Sequence, residues 1–306
     1  MSKIHSHSCI KFSLVFLLPV LTFNPAFSQD FYAEFQQYTR PNDTVKQLEI
    51  LKKWESVKPN DPELFTSYFN YYFTKSIQEV LTVTKEQPKG KSLELTGSLN
   101  QVTGYVGSRV NYMENELQKG FAKIDEGIRL YPDRLDMRFG KIYVLGELEK
   151  WKEFTGEIIK TIDYSAKNNN QWTWTLNEKK ENGQDFFLSS LQDYQVQLYN
   201  TEDDNLLIYM RDIANEVLKF YPDHVESLSN VALTYLITGQ YDKALPPLLH
   251  AEKIAPEDYI VLSNIAEAYM LKGNKEQAVE YYKKVQKFGD EDAKSYAKQQ
   301  IQELSK

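Results

Sequence analysis

The amino-acid sequence predicts an all-α protein built as a solenoid of antiparallel helix pairs, closed at its C-terminal end by a capping helix. Three observations lead to this fold class. Two consecutive segments of 34 residues, 225–258 and 259–292, resemble each other position by position. Apolar residues recur at helical spacing through most of the preceding chain. A boundary pattern, KFYPDHVESL at 219–228, returns at 129–138 and more loosely at 57–65.

The two C-terminal segments each predict one helical hairpin. Gly239 and Gly273 divide them into two helical halves, because glycine readily adopts the left-handed backbone that closes a helix. A single hairpin cannot bury its own apolar face, so we expect neighbouring hairpins to stack on one another. The matched positions are Leu228 with Leu262, Ser229 with Ser263, Asn230 with Asn264, Val231 with Ile265, Ala232 with Ala266, Tyr235 with Tyr269 and Ala244 with Ala278.

The boundary pattern predicts where helices end and begin. Proline lacks a backbone N–H and pushes the residue before it away from helical geometry, so a helix should end there. The aspartate beside each proline can then cap the next helix with its side chain. We therefore expect caps at Asp61, Asp133 and Asp223.

The spacing of large and small residues resembles the tetratricopeptide repeat family, specifically over 225–290 and in degenerate form upstream. The resemblance implies a right-handed α-solenoid and a non-catalytic scaffold or adaptor that binds a protein or peptide segment in its concave groove. The sequence departs from the family pattern at Asp290, which stands where the preceding repeat has Pro256. Pro246 and Pro247 also fall within a predicted helix, and we expect them to kink it or delay its start.

The resemblance implies that the first helix of each repeat faces the groove. Asn230 and Asn264 would offer a partner's backbone both a donor and an acceptor; alternatively, they tie adjacent repeats together. The basic residues of a carboxylate clamp are missing, because Glu226 and Ile260 occupy the second positions and serine the fifth. The residues predicted to line the partner groove are Ser229, Asn230, Leu233, Ile237, Ser263, Asn264, Glu267 and Met270.

Residues 29–224 predict a longer series of degenerate helical repeats, interrupted by a polar insertion at 168–184. The segment 291–306 predicts the capping helix, since its apolar residues share one face. A short strand is suggested at Ser92–Thr96. The upstream helices are expected at 44–57, 62–82, 98–112, 114–130, twice within 135–165, at 185–200 and at 204–220.

The first 28 residues have the features of a signal peptide. Lys3 and Lys11 precede an apolar run at 12–23, and small residues follow it up to Ser28. Because the run is too short to span a bilayer, we expect an exported protein, periplasmic or extracellular, with no membrane span after cleavage. The full chain has a net charge of −7, and the loss of both lysines would make it more acidic. We therefore expect no nucleic-acid partner.

Few residues offer candidates for catalysis. The single cysteine, Cys9, lies in the predicted signal peptide, and His224 and His250 are the histidines that follow it. We therefore predict no catalytic, cofactor-binding or metal-binding residues. An alternative function is the binding of a glycan or small ligand, with Trp172 and Trp174 of the polar insertion as an aromatic platform. An enzyme of unknown class is a third hypothesis.

Overall fold

The computed structural model describes residues 28–88, 91–98 and 100–306. The predicted signal peptide lies outside this part of the chain except for Ser28, so it stays a prediction. Thirteen α-helices and one small β-sheet follow one another in the described residues. The predicted helical solenoid is confirmed, and the sheet is an addition to it.

The helices fall into a group before residue 200 and a group after it. The first group comprises α1 (Ser28–Gln37), α2 (Thr44–Val57), α3 (Pro62–Ser76), α4 (Glu114–Leu130), α5 (Leu135–Glu147), α6 (Trp151–Asn168) and α7 (Gly183–Tyr199). The second group comprises α8 (Leu207–Phe220), α9 (Val225–Ile237), α10 (Tyr241–Ile254), α11 (Tyr259–Leu271), α12 (Lys275–Phe288) and α13 (Glu291–Leu304). The further division of 29–224 into degenerate repeats stays a prediction.

The two C-terminal segments fold as the helix pairs α9–α10 and α11–α12. Gly239 and Gly273 close the first helix of each pair with φ values of 72° and 85°, which favour glycine. The small residues allow close helix approach and are fully buried: Ala232, Ala244, Ala266 and Ala278. Helix α13 packs on α12 and buries Ala297, so it covers the end of the array as expected.

Pro246 and Pro247 lie inside α10, which already begins at Tyr241. The expectation that they delay the start of this helix is therefore wrong. Their missing amides would have bonded the carbonyls of Asp242 and Lys243, in the exposed first turn, where water can satisfy those oxygens.

A three-stranded antiparallel sheet follows α3 and precedes α4. Its strands are β1 (Ile77–Thr84), β2 (Ser92–Thr96) and β3 (Val102–Tyr112), in the order β1–β3–β2. The strand predicted at Ser92–Thr96 is confirmed. The helix predicted over 98–112 is wrong, and so is the end of the helix predicted over 62–82. The segment 77–84 contains five β-branched residues, and Val102, Val106 and Val110 fall on one side of an extended chain, a composition that favours strands.

The boundary aspartates differ in their roles. Asp61 caps α3 as predicted, accepting the Glu63 amide at 3.1 Å. The caps predicted at the other two are wrong, because α5 and α9 begin one residue later than expected, with Arg134 and His224 at their N-caps. The displaced carboxylates bond side chains of other helices instead, Asp133 with Tyr164 at 2.8 Å and Asp223 with His250 at 2.9 Å.

Apolar clusters follow one another along the chain. One cluster joins α1, α2 and α3, and a second joins α3, α4 and α5. A third lies among α5 to α8 and includes Trp172, while a fourth extends from α9 to α13. Because neighbouring clusters share helices, each pair is stabilised mainly by the pairs on either side of it, as in other repeat arrays.

Candidate partner-binding face

The odd-numbered helices near the C-terminus form one layer of the molecule. Helix α9 contacts α7 on one side and α11 on the other, and α11 also contacts α13. Helices α10 and α12 form a second layer that packs on them. We call the eight predicted groove residues on α9 and α11 the inner face; they are Ser229, Asn230, Leu233, Ile237, Ser263, Asn264, Glu267 and Met270.

Asn230 is buried within the helix layer. Its side chain is 6% exposed, and Nδ2 donates to Oε1 of Gln192 on α7 at 2.6 Å. An amide that is buried and already bonded is poorly placed to receive a partner's backbone. Of the two predicted roles for Asn230, this geometry favours the one in which it ties adjacent helices together.

Asn264 occupies the equivalent position of the next repeat but has a different environment. Its side chain is half-buried. In the described part of the chain it forms no side-chain hydrogen bond, so its amide group keeps both its donor and its acceptor capacity. The two asparagines at equivalent repeat positions therefore differ: Asn230 is hydrogen-bonded to α7, whereas the amide group of Asn264 is unbonded.

Glu267 lies one helical turn after Asn264 on α11. Its carboxylate is half-buried, and burial raises the pKa of this group above its ordinary value. No hydrogen bond or ion pair reaches it from any residue that the structure describes. A carboxylate that is partly desolvated and has no cation beside it would be stabilised by an incoming ammonium, guanidinium or amide donor.

Two tyrosines stand beside Glu267. The rings of Tyr282 on α12 and Tyr296 on α13 meet edge to face with centroids 6.1 Å apart. Burial raises the pKa of both hydroxyls, and the Glu267 charge raises them further. The Tyr282 hydroxyl donates to Sδ of Met270 at 3.7 Å.

The remaining members of the inner face provide shape and apolar area. Leu233 is half-buried and packs against the core cluster of α5–α8. Ile237 is 39% exposed. The Ser263 hydroxyl is already bonded to the Tyr259 carbonyl at 2.6 Å, whereas Ser229 is half-buried. The inner face thus consists of apolar positions on α9 and a free amide and a carboxylate on α11, and these two helices contact each other.

Trp172 belongs to the core and not to an exposed platform. It is 1% exposed, and its ring lies 5.4 Å from that of Phe187 and 5.8 Å from that of Tyr164. Trp174 is half-buried, with edge contacts to Phe139 and Phe186. The expectation that Trp172 stacks on a ligand is wrong, because its side chain is almost completely buried in the core. Of the two tryptophans predicted to form an aromatic platform, Trp172 is therefore not available to a ligand.

The polar insertion around these tryptophans is anchored by a buried ion cluster. The Arg134 guanidinium, 1% exposed, bonds the carboxylates of Glu63 at 3.0 Å and Asp136 at 2.7 Å. It also donates to Oδ1 of Asn177, and the Leu176 amide donates to Glu63. The insertion is therefore tied to α3 and α5 by charged hydrogen bonds.

The histidines have structural contacts. His224 caps α9 by accepting the Ser227 amide, and burial lowers the pKa of its imidazole. His250 bonds Asp223 as described above. Within the described residues, no group of three His, Asp, Glu or Cys side chains is arranged to hold a metal ion.

Sequence reasoning missed two contributors to this region. Tyr296 lies on the capping helix, whose apolar pattern indicated only that it covers the array. Gln192 lies 38 residues before its partner Asn230, and no local pattern marked it. Helical spacing identifies which residues share a face, but not which side chain of another helix meets them.

Comparison with known proteins adds a family match over one repeat. Residues 260–288 match the tetratricopeptide repeat model. No curated protein matches the chain in sequence. Among the described residues, no helix combines the length and apolar character that crossing a membrane requires.

Solved structures with some similarity to this chain include two tetratricopeptide repeat proteins and one pilus biogenesis factor. The P58(IPK) TPR domain is 12% identical over 91% of this chain, which spans 64% of that chain, with a TM-score of 0.34. YrrB, described as a TPR protein with an unusual peptide-binding site, is 19% identical over 60% of this chain and 84% of its own, with a TM-score of 0.39. PilW, described as a type IV pilus biogenesis factor, is 12% identical over 91% and 98%, with a TM-score of 0.37. We draw no functional argument from similarities at this level.

Proposed function

We propose that this chain, in which residues 260–288 match the tetratricopeptide repeat model, is an exported, non-catalytic scaffold that binds a protein or peptide segment on its inner face. The observation that supports this function is the pair of Asn264 and Glu267. Both are half-buried polar groups on one face of α11, and neither has a partner among the described residues.

The chemistry of this pair indicates the kind of segment that would bind. An extended backbone can give a donor and an acceptor to the Asn264 amide. A lysine or arginine near it can pair with the desolvated Glu267 carboxylate. Apolar side chains of the segment can cover Ile237, which is 39% exposed. We therefore propose a partner segment that combines a basic residue with apolar anchors, and not a free C-terminal carboxylate.

Export is part of the proposal and rests on the N-terminal sequence. Lys3 and Lys11, the apolar run at 12–23 and the small residues before Gln29 give the features of a cleaved signal peptide. The partner would then be found in the periplasm or outside the cell. The acidic balance of the chain disfavours a nucleic-acid partner.

The experiment that tests this function is capture of partners from the envelope fraction, with cross-linking. The bait is the full chain, and the matched variants are Asn264→Ala with Glu267→Gln on the inner face, and Glu276→Gln with Gln286→Ala on α12. We expect the α12 pair to retain the partners and the inner-face pair to lose them. Retention of every partner by the inner-face pair would refute the assignment of this surface.

A further inference from the structure

The small sheet has one face that is almost wholly apolar. Cross-strand partners point to the same side of an antiparallel sheet, and residues two apart along a strand share that side. Leu81 is opposite Ser108, and Val83 and Leu93 are both opposite Val106. We call this surface the sheet face; it consists of Ile77, Glu79, Leu81, Val83, Leu93, Leu95, Val102, Gly104, Val106, Ser108, Val110 and, at the end next to the helices, Tyr112.

The sheet face is exposed to an unusual degree. Leu81, Val83 and Leu93 are 78%, 72% and 74% exposed, although alternation of this kind is typical of a sheet with one face buried on a core. The opposite face is mainly polar and includes Thr82, Glu94 and Arg109. Phe73 covers only the Tyr112 end of the face, and Leu81, Val83 and Leu93 stay largely uncovered by the residues that the structure describes, so the burial that the pattern indicates requires another surface.

The helices present this face rigidly. Strand β1 follows α3 directly, and β3 leads through Met113 into α4. The Met113 amide donates to the Ser76 carbonyl at 2.8 Å, and Tyr112 stacks on Phe73 with centroids 5.9 Å apart. Because the sheet is already ordered, a partner would lose little entropy in binding it.

The size of the sheet face suits a stable dimer. Its exposed aliphatic residues contribute on the order of 700 Å² of accessible surface, more than the largest apolar patch of a typical monomer. Two such faces would together bury about 1,400 Å², within the range of specific protein interfaces. A flat apolar sheet packs well on a second flat apolar sheet about 10 Å away.

The residues of the face favour a second copy over a lipid surface. The face contains no tryptophan, phenylalanine or basic side chain, all of which strengthen binding to a membrane interface, and its one aromatic ring, Tyr112, is already stacked on Phe73. Its one charged member is Glu79. The chain is acidic overall, which disfavours anionic lipid. A second copy supplies a matching aliphatic face without any further component.

We propose that two copies of this chain associate through their sheet faces, which pack against each other as a sandwich of two three-stranded sheets. This dimer is separate from the inner face on α9 and α11. Each dimer would therefore present two inner faces, so a partner with two binding segments would be held by avidity.

The first test is sedimentation velocity on the full reading frame with a C-terminal affinity tag, so that any export processing can occur. Leu81→Asp is compared with Val80→Asp, an adjacent exposed position on the opposite face, across from Arg109. We expect the unaltered chain and Val80→Asp to be dimers at micromolar concentration. Leu81→Asp should weaken association at least about a hundredfold, because each dimer would bury two carboxylates.

The second test uses thiol cross-linking in a Cys9→Ser background. Ser108→Cys lies on the sheet face and Arg109→Cys on the opposite face, at neighbouring positions of β3. A bismaleimide with a span of about 10 Å, the spacing of packed sheets, should link Ser108→Cys into dimers and leave Arg109→Cys monomeric.

Three results would overturn the proposal. The first is a monomeric chain at tens of micromolar. The second is a dimer that Leu81→Asp leaves intact while circular dichroism shows the same fold. The third is a monomer that floats with vesicles of mixed neutral and anionic lipid and loses this property in Leu81→Asp, which would assign the face to a lipid surface.

Discussion

Asn230 and Asn264 show how one residue type at equivalent repeat positions can have two roles. The first is buried and donates to Gln192 at 2.6 Å, whereas the second is half-buried and has no partner among the described residues. The difference comes from the neighbouring helix, because α7 places a glutamine beside α9. Repeat equivalence in sequence therefore does not establish equivalence in function.

Because of this difference, alanine substitution should mainly reduce stability at Asn230 and mainly reduce partner binding at Asn264. Asn230→Ala should lower the free energy of unfolding by about 0.5–1.5 kcal/mol, because it removes the hydrogen bond between buried Asn230 and half-buried Gln192. Asn264→Ala should change stability by less than about 0.5 kcal/mol but weaken partner binding. Urea denaturation of both variants measures the first effect. An equal loss of stability in the two variants would contradict the distinct roles.

Glu267 predicts a pH-dependent contribution to stability. Burial raises its pKa in the folded state, so the unfolded chain ionises first as pH rises above about 4.3, the ordinary value for glutamate. From that pH upward, ionisation favours the unfolded state until the folded pKa is passed. Glu267→Gln should therefore melt at a higher temperature than the unaltered chain at pH 7, and at the same temperature at pH 3.5.

The control for this pH dependence is Gln286→Ala on α12, which removes no ionisable group. Its effect on stability should be the same at the two pH values. A Glu267→Gln variant that is less stable than the unaltered chain at pH 7 would mean that the carboxylate is stabilised by a contact in the folded state, contrary to this account.

At the scale of elements, the polar insertion is a structural part of the array. Trp172 fills the core beside Phe187, and the Arg134 cluster holds the turn at Thr175–Asn177. A long polar loop with two tryptophans suggested a ligand site from sequence. One of the two residues is instead a core side chain supplied by the loop.

This role predicts unequal effects at the two tryptophans. Trp172→Ala should cost about 3–5 kcal/mol of stability, the range for a large buried aromatic residue. Trp174→Ala should cost less, because its side chain is only half-buried. Chemical denaturation compares them directly. If Trp172→Ala were as mild as Trp174→Ala, the ring would not be a core residue and the aromatic platform would regain support.

Most helices and strand β2 were predictable from the sequence, but strands β1 and β3 were not. Helix α4 matches its predicted bounds, because Leu117, Phe121, Ile124 and Ile128 repeat at helical spacing and no competing pattern exists. Over 98–112, Gly104 and Gly107 interrupt the alternation of apolar and polar residues, so the sequence showed neither a clear helical period nor a clear strand period. Strand β1 pairs with β3, although β2 lies between them in the sequence. Their register therefore depends on residues that are distant along the chain, and no local pattern predicts it.

The same limit applies to the candidate site. The family resemblance placed Asn264 and Glu267 on one surface, and the structure agrees that they share a face of α11. Which polar groups remain free depends on contacts between helices distant in sequence, such as Gln192 with Asn230 and Tyr296 beside Glu267. Periodicity within one helix contains no information about these contacts.

The whole molecule combines two separate surfaces on one helical array. Sequential apolar clusters run from α1 to α13, and the sheet after α3 is joined to them through Tyr112, which packs against the cluster of α3, α4 and α5. The inner face of α9 and α11 is suited to a segment with basic and apolar residues. The sheet face is suited to a second copy. Each surface can be altered without changing the other.

The measurement that tests the central claim most directly is peptide binding to the inner face. Peptides selected from a random 12-residue display library against the full chain are titrated by fluorescence anisotropy. The proteins compared are the unaltered chain, Asn264→Ala with Glu267→Gln, and the α12 control pair. We expect selected peptides to carry lysine or arginine beside apolar residues. The inner-face pair should bind at least about tenfold more weakly, equivalent to about 1.4 kcal/mol, and the control pair unchanged. Equal affinity for all three proteins would contradict the claim.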